Sequence, residues 1–360
     1  MLKRFHGFRR LLLISCLLCG CATTTPISKK LAKNISIATY NVENLFDTLQ
    51  DPGREDYTFL PLSFKKGNAE HKAACEKMTS AFYKDECLTE DWNEEKLALK
   101  MKRIANTVLS INGEGPDILL LQEVENLRVL NILNDDYLSA AGYKTVVLLE
   151  GDDVRGIDVG LLSRLPLAGK PILHRIPFAP DSSKADWKAP LTRGILEVPL
   201  KLPNGDRMVT MTFHFPSQGA PVQQRQDAVQ FLNSLMAQKN PDTVVVAGGD
   251  SNISSSEEAI HHLQSDVLGA QWKVGHMEGC KGCLGTEVYR DVWSFFDILL
   301  FSPSLGVQGT APYQLAPDSI RVVKEGKYQL RMDGTPSRFD DKSGLGVSDH
   351  LPMYGEIAPR

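Results

Sequence analysis

The segment Gly344-Leu345-Gly346-Val347-Ser348-Asp349-His350-Leu351-Pro352-Met353-Tyr354-Gly355-Glu356-Ile357 joins a glycine-rich approach to a run of alternating apolar residues. The alternation over 351–357 predicts a strand, so Asp349 and His350 sit at a strand mouth on rigid backbone. Asp beside His in that position can serve a metal, a phosphate or an acid/base step. Alone the triplet decides nothing, because Ser-Asp-His also occurs in ordinary turns. Its meaning depends on whether carboxylates elsewhere converge on it.

Strands and helices alternate upstream. Residues 34–40, with Ile35, Ile37 and Thr39 in alternation, predict a strand, and 117–122 a short continuously apolar one suited to a sheet buried on both faces. Further strands are predicted over 143–149, 158–163, 194–200, 207–213, 243–247 and 295–301, with Pro203-Asn204-Gly205-Asp206 as a hairpin turn. Helical spacing runs through 92–111 (Leu97, Met101, Ile104, Ala105, Val108, Leu109), stopped by Gly113, Gly115 and Pro116, and through 222–237. Residues 254–268 also read as a helix, with serines available to cap it. Residues 47–91 lack periodicity and read as a long insertion; 303–341 read as loop-rich, with a weak hairpin around Lys324-Glu325-Gly326-Lys327. Interleaved strands and helices with several hairpins imply an α/β domain with mixed sheets.

The N-terminus is a targeting segment. Lys3, Arg4, Arg9 and Arg10 precede a short apolar run, Leu11 to Leu18, too short to span a bilayer. Leu18-Cys19-Gly20-Cys21 then resembles a bacterial lipobox, with cleavage after residue 20 and lipid on Cys21; the alternative is an ordinary secretory signal. The expected organisation is a signal at 1–20, a lipidated Cys and tether at 21–33, and one domain over 34–360 interrupted by the insertion. Localisation is then the cell envelope, anchored to a membrane through Cys21. The net charge of −4 becomes −8 once the four positive charges of residues 1–20 are gone. A protein that coats nucleic acid by charge alone would be basic, so a polyanionic substrate must be handled locally, through metal. Cys75, Cys87, Cys280 and Cys283 remain, an even number for an oxidising compartment. Two disulfides, Cys75–Cys87 and Cys280–Cys283, are expected, the alternative being a zinc site using all four thiolates.

Chemistry-bearing residues collect at the strand ends. They are Asn41 and Glu43, which alternation puts on one side of a continuing strand, Glu123, His214 with Ser217, Asp250 with Asn252, Asp297, and Asp349 with His350. Taken singly, each has an ordinary structural use. Asp297 among Phe295, Phe296, Ile298 and Leu299 is a carboxylate that requires a partner. His350 is the natural one, its ring N–H held and its basicity raised. Mg2+ wants oxygen ligands, and Glu123, Asn41 and Asp349 supply them. Asp250 can orient and deprotonate water, while Asn252, His214 and His350 can donate to a phosphate.

The ordered set Tyr40-Asn41-Val42-Glu43-Asn44-Leu45-Phe46-Asp47, Leu121-Gln122-Glu123-Val124-Glu125-Asn126, His214-Phe215-Pro216-Ser217, Gly249-Asp250-Ser251-Asn252, Asp297 and Ser348-Asp349-His350 resembles the endonuclease/exonuclease/phosphatase superfamily. The resemblance runs from about Ile35 to Ile357. It implies the deoxyribonuclease I-like fold: a four-layer α/β sandwich, two packed mixed β-sheets flanked by helices, with the site at one end of the sheets. It also implies that Glu123 is the principal Mg2+ ligand (Mn2+ as substitute), with Asn41 beside it, Asp349 close and Glu43 near the metal. Asp250 and Asn252 resemble the water-orienting pair, His350 with Asp297 the dyad at the scissile phosphate, and His214 a second phosphate-facing residue. Ser251 departs from the common Phe at its position and removes a packing ring but no catalytic atom. Arg155, Asp158, Ser217 and Arg225 are further candidates for phosphate contact or framing; Arg225 can equally make a salt bridge on a helix surface.

The family resemblance leaves the phosphoester open. The leading expectation is a Mg2+-dependent hydrolase of phosphodiester bonds, monomeric, with DNA or RNA as substrate. The alternative is a lipid-headgroup or sugar phosphoesterase. A catalytically silent binding protein on the same fold is disfavoured because every site residue is present.

Overall fold

A computed structural model of the chain describes residues 33–180, 183 and 186–360; the leader, Cys21 and most of the tether lie outside them. The strands are β1 (Ile35–Leu45), β2 (Ile118–Val124), β3 (Thr145–Leu148), β4 (Asp158–Ser163), β5 (Ile172–His174), β6 (Ile195–Lys201), β7 (Arg207–His214), β8 (Val244–Asp250), β9 (Lys273–Val274), β10 (Glu287–Tyr289), β11 (Val292–Ser294), β12 (Asp297–Phe301), β13 (Tyr313–Val322) and β14 (Met353–Pro359). The α-helices are α1 (Leu62–Lys65), α2 (Ala69–Glu76), α3 (Ala81–Thr89), α4 (Glu94–Ser110), α5 (Leu127–Ile132), α6 (Val222–Ala237), α7 (Ser255–His261) and α8 (Gly275–Glu278).

Two six-stranded sheets form, in the orders β13-β14-β1-β2-β4-β3 and β5-β6-β7-β8-β12-β9. Each has one parallel pair at its centre, β1 with β2 and β7 with β8, among antiparallel neighbours. A parallel pair needs a crossover connection, and α4 and α6 lie in the two connections. α4 starts where Asn93 accepts a hydrogen bond from Lys96 N, with Glu94 and Glu95 in the first turn.

Alternation within the strands sorts side chains into layers. Ile35, Ile37, Ile118 and Leu120 of the first sheet meet Leu196, Val198, Val244, Val246, Leu299 and Phe301 of the second in one buried core. Ala38, Tyr40, Leu119 and Leu121 face the other way, onto Leu97, Met101, Ile104 and Val108 of α4. The outer face of the second sheet packs Val209, Met211, Val245 and Ala247 against Val229, Leu232 and Leu235 of α6. The result is helix, sheet, sheet, helix, which is the four-layer sandwich with two mixed sheets. Because both parallel pairs run the same way within their sheets, their carboxyl ends offer paired sites for function. Gly248 and Gly249, rather than forming a turn, lie in β8 where neighbours crowd: a Cβ on Gly249 would stand 1.9 Å from Phe213 O.

Several sequence expectations need correction. Residues 303–341 hold the ten-residue strand β13. Pro317 and Asp318 interrupt its alternation at a bulge between Ala316 and Arg321, and an edge strand tolerates Pro there. No strand forms at 324–327 among the described residues. The helix expected over 254–268 breaks at His262, whose φ is 49°, and continues as a π-helical turn, Leu263–Leu268. Asp297 opens β12 rather than lying inside a strand beginning at 295. Residues 47–91 contain α1, α2 and α3. Both disulfides are formed, Cys75–Cys87 with Cα atoms 5.7 Å apart and Cys280–Cys283 at 5.5 Å, so zinc on four thiolates does not apply.

Candidate active site

Non-glycine residues adopt left-handed backbone at the strand ends: Glu43 (φ 52°) and Asn44 (54°) in β1, Glu123 (62°) in β2 and Asn252 (51°) past β8. Such conformations are strained and persist where surrounding structure fixes them, commonly at functional sites. The β1 irregularity also shifts its register against β2 between Asn41 and Leu45. Asn41 and Glu43 therefore do not share a side by simple alternation, and they have different partners.

Asn41 lies between the sheets. Its Nδ2 donates to Glu123 Oε1 (3.2 Å) and to Asp250 Oδ2 (3.0 Å), and its Oδ1 accepts from Glu43 N (2.9 Å). The second Glu123 oxygen accepts from Asn44 N at 2.9 Å. Asn41, expected beside Glu123 as a ligand, thus presents its nitrogen and fixes two carboxylates. One residue deeper, Gln122 links Thr39 of β1 to Thr212 of β7 through its amide, which ties the two sheets. Asp250 Oδ1 accepts from Asn252 N (2.8 Å), and Asn252 Nδ2 donates to Phe215 O (3.1 Å), so Asn252 also anchors the loop after β7. In place of an aromatic ring, Ser251 is buried and its hydroxyl donates to Phe296 O at 2.9 Å, which locks β8 to the start of β12.

The final triplet is fixed from three directions. Ser348 Oγ donates to Asn41 O (2.7 Å) and accepts from His350 N (3.0 Å). Leu351 N donates to Thr286 O. His350 Nδ1 donates to Asp297 Oδ2 at 2.7 Å, the expected dyad, with both side chains buried. Nε2 of His350 lies 3.8 Å from Asp250 Oδ2 and 3.9 Å from Asp349 Oδ1, and His214 Nε2 lies 3.3 Å from the same Asp250 oxygen. Both histidines and Asp250 therefore belong to one cluster.

Burial acts on all of these groups, and their neighbours then separate them. For His350, burial alone opposes the charge, but Asp297, Asp250 and Asp349 outweigh it and hold the imidazole well above its ordinary value, as a cation. For His214, burial together with the nearby charges of Arg193 and His350 pushes the pKa well down, and the ring is neutral. Burial raises the Asp250 carboxyl to about 7, against the pull of His350. Glu43 is likewise raised to about 7 by burial and then by Asp349.

A divalent cation fits this donor set. Glu123, Glu43 and Asp349 bring three carboxylates to one edge, and burial with Asp349 beside it raises Glu43 even though Arg338 and Lys100 lie near. Hard cations take one or two carboxylates and leave positions for water and phosphate. Glu123, with Asp349 and Glu43 near it, would hold the ion.

The remaining candidates separate. Arg155 and Ser217 line the cavity that reaches this edge. Asp158 is buried and accepts from Gly151 N at 2.9 Å, holding a neighbouring loop. Arg225 is buried and fully engaged: it pairs with Glu257 and donates to the carbonyls of Pro216, Ser217 and Ala220. It frames the His214 loop and is not a phosphate ligand, because its donors are consumed inside.

Four cations at the site and behind it were not anticipated. Arg338 bridges Glu43 (3.0 Å) and Asp349 (2.5 Å). Arg193 is buried just before β6, 3.2 Å from Asp153. Lys100 reaches from α4 to Val347 O (2.7 Å), while Arg103 binds the carbonyls of Asp340, Leu345 and Gly346, so α4 holds the loop that delivers Asp349 and His350. Arg193 precedes a strand as the other site residues end strands, which was a usable signal; Arg338, in an unpatterned loop, carried none.

Known proteins were compared with this chain. A family model described as Endonuclease/Exonuclease/phosphatase family matches residues 36–359. Among curated protein sequences none matches. The crystal structure of D. rerio TDP2 with a single strand DNA product is similar at 15% identity and TM-score 0.53, covering 90% of this chain and 98% of that one. An endonuclease/exonuclease/phosphatase from Beutenbergia cavernae is similar at 15% identity and TM-score 0.54, covering 91% and 72%. A mannosyl-6-phosphatase of Bacteroides thetaiotaomicron VPI-5482 is similar at 16% identity and TM-score 0.50, covering 90% and 99%. At these identities the likeness shows the fold.

Proposed function

Since the chain belongs to the endonuclease/exonuclease/phosphatase family, whose members are metal-dependent phosphoesterases, we propose that it is a Mg2+-dependent phosphodiesterase acting on nucleic acid. The observation that carries this reading is one edge holding a cationic His350, a carboxyl poised near 7 at Asp250, and the Glu123 carboxylate group. Mg2+ or Mn2+ held there would supply charge for the phosphoryl oxygens.

The side chains divide the remaining work. Asp250, fixed by Asn41 and by Asn252 N, orients a water and takes its proton, which its raised pKa makes efficient near neutral pH. His350 keeps Nδ1–H on Asp297 and offers Nε2–H to a phosphoryl oxygen where charge develops. Neutral His214 and Asn252 flank it. Preference for a diester over a small monoester is supported by the adjoining cavity of about 1070 Å³, at the upper end of small-molecule sites. The D. rerio TDP2 structure, on the same fold, holds a single strand DNA product, which supports the nucleic-acid reading.

A second reading, a sugar or lipid-headgroup phosphoesterase, is favoured by the acidic residues Glu55, Glu86, Glu90, Asp340 and Asp341 on the cavity wall, which repel an extended polyanion. Plasmid DNA, RNA, sphingomyelin, bis-p-nitrophenyl phosphate and p-nitrophenyl phosphate, each with Mg2+, Mn2+ or chelator, separate the two. Turnover of DNA or RNA that chelator abolishes is expected; turnover of sphingomyelin without DNA or RNA overturns the nucleic-acid reading, and turnover of the monoester alone overturns the diesterase reading. The reading also places the enzyme at the cell envelope through lipid on Cys21. Incorporation of a labelled fatty acid, lost in Cys21→Ala, tests that placement, and an unlabelled wild type refutes it.

A further inference from the structure

The cavity beside the active-site edge is lined by two unlike sets of residues. Glu43, Arg193 and Arg338 are charged, and Phe59, Phe82 and Tyr83 are aromatic, with Tyr83 close enough to Arg338 to act on its charge. Phe82 and Tyr83 occupy the first turn of α3, where Ser80 caps the helix by accepting from Tyr83 N. Their side chains are 70% and 60% exposed, with ring centroids 5.4 Å apart at 73°. The Cys75–Cys87 disulfide ties α2 to α3 and holds the hairpin that carries them. Phe59 is fixed by stacking on Phe46, with centroids 4.1 Å apart. Two adjacent exposed rings on a cross-linked hairpin, lining the same cavity as Glu43 and Arg338, are not scattered surface apolar groups.

Composition of the lining restricts what these rings meet. Six Lys/Arg stand against seven Asp/Glu around the cavity, so its field does not grip a long run of phosphates. Its apolar members are Phe, Tyr and Trp, with Met78 and without a Leu, Ile or Val, which suits a flat π-faced group better than an acyl chain. We propose that Phe82 and Tyr83 form a stacking subsite for a nucleobase joined through its sugar to the scissile phosphodiester. Stacking on aromatic side chains tolerates any base, since every base has a π-face. This subsite rests on the diesterase reading above and names what its substrate carries beyond the phosphate.

The test compares two diesters with one leaving group: thymidine 5′-(p-nitrophenyl phosphate), which carries a base, and methyl p-nitrophenyl phosphate, which does not. The ratio of their kcat/KM values is measured in wild type and in the double variant Phe82→Ala with Tyr83→Ala, whose exposed positions leave the core intact. A fall in the ratio of about tenfold or more, mainly through KM for the thymidine ester, is expected. Phe82→Trp with Tyr83→Phe, which keeps two rings, retains the ratio. An unchanged ratio in the alanine variant, with both esters still cleaved, overturns the subsite and leaves the diesterase reading standing. If wild type cleaves neither ester, the diesterase reading fails, and calorimetric binding of thymidine 5′-monophosphate decides the subsite: weaker binding by the alanine variant supports it, and equal binding by both proteins overturns it.

Discussion

Replacing Asp297 with Asn removes one charge and keeps the shape. Asp297 is fully buried, its Oδ2 lies 2.7 Å from His350 Nδ1, and its other oxygen lies 3.4 Å from Asn41 N. Burial by itself would leave His350 neutral; Asp297 is the first of the carboxylates that reverse this. In Asp297→Asn the Asn oxygen still accepts from Nδ1–H, but the ring loses its charge and Nε2 becomes an acceptor, unable to donate to a phosphoryl oxygen. The ground-state loss is that of a charge-assisted hydrogen bond, about 1.5–3 kcal/mol. The catalytic loss is that of one donor to the developing phosphoryl charge, about 10²–10³ in kcat, which is roughly 3–4 kcal/mol of barrier. Steady-state hydrolysis of bis-p-nitrophenyl phosphate with saturating Mg2+ measures it, with circular dichroism to confirm the fold. If the two residues act as a unit, Asp297→Asn with His350→Gln is little worse than either change alone. A folded Asp297→Asn enzyme with kcat within about threefold of wild type refutes the dyad, since it falls below the smallest effect expected for losing a donor to the developing charge.

Other expectations concern the frame of the site. Arg225→Met takes the cation from Glu257, which keeps only Gln218 Nε2 as a side-chain donor, and the donor from three carbonyls, and urea unfolding is expected to show a loss of about 3 kcal/mol; a loss below about 1 kcal/mol contradicts the framing role. Ser251→Ala removes the hydroxyl between Phe296 O and Gln264 Nε2, and a thermal melt is expected to show about 1–2 kcal/mol of destabilisation. Burial, and then the charge of Glu150, raises the Asp158 carboxyl from 3.8 to about 8. Across that window the native state keeps a proton that the unfolded chain has released, so this residue's contribution to stability falls as pH rises and levels off above about 8. Asp158→Asn keeps an acceptor for Gly151 N without that penalty, and is expected to be more stable than wild type by up to about 5 kcal/mol at pH near 8, with no gain near pH 4; an equal difference at both pH values contradicts the assignment.

Periodicity made the buried strands and the two crossover helices legible, because β2, β8 and α6 are simple patterns in a core that rewards them. Strands β5, β9, β10 and β11 were missed; each has only two or three residues, too few for a period to show. β13 was hidden by Pro317 at its bulge. The site was legible as an ordered set of strand-end motifs, since the edge of a sandwich collects the ends of strands far apart in sequence. The direction of side chains there was not. Left-handed backbone at Glu43, Asn44, Glu123 and Asn252 breaks the alternation from which direction is inferred. Nor could sequence show that Arg225 spends its donors on its own loop, or that Arg338 comes back from an unpatterned segment to join Glu43 to Asp349, because both depend on tertiary placement.

Glu123 is the residue on which metal-dependent hydrolysis turns. The decisive measurement is Mn2+ binding by titration calorimetry, paired with Mg2+-dependent diester hydrolysis, on folded Glu123→Gln protein. Gln keeps the size of the side chain and its one oxygen can still accept from Asn41 Nδ2 or Asn44 N, so circular dichroism is expected to show the fold retained while the charge is lost. Weakened Mn2+ binding with hydrolysis reduced at least about 100-fold is expected; wild-type affinity and wild-type turnover in the same protein would contradict the assignment of the site.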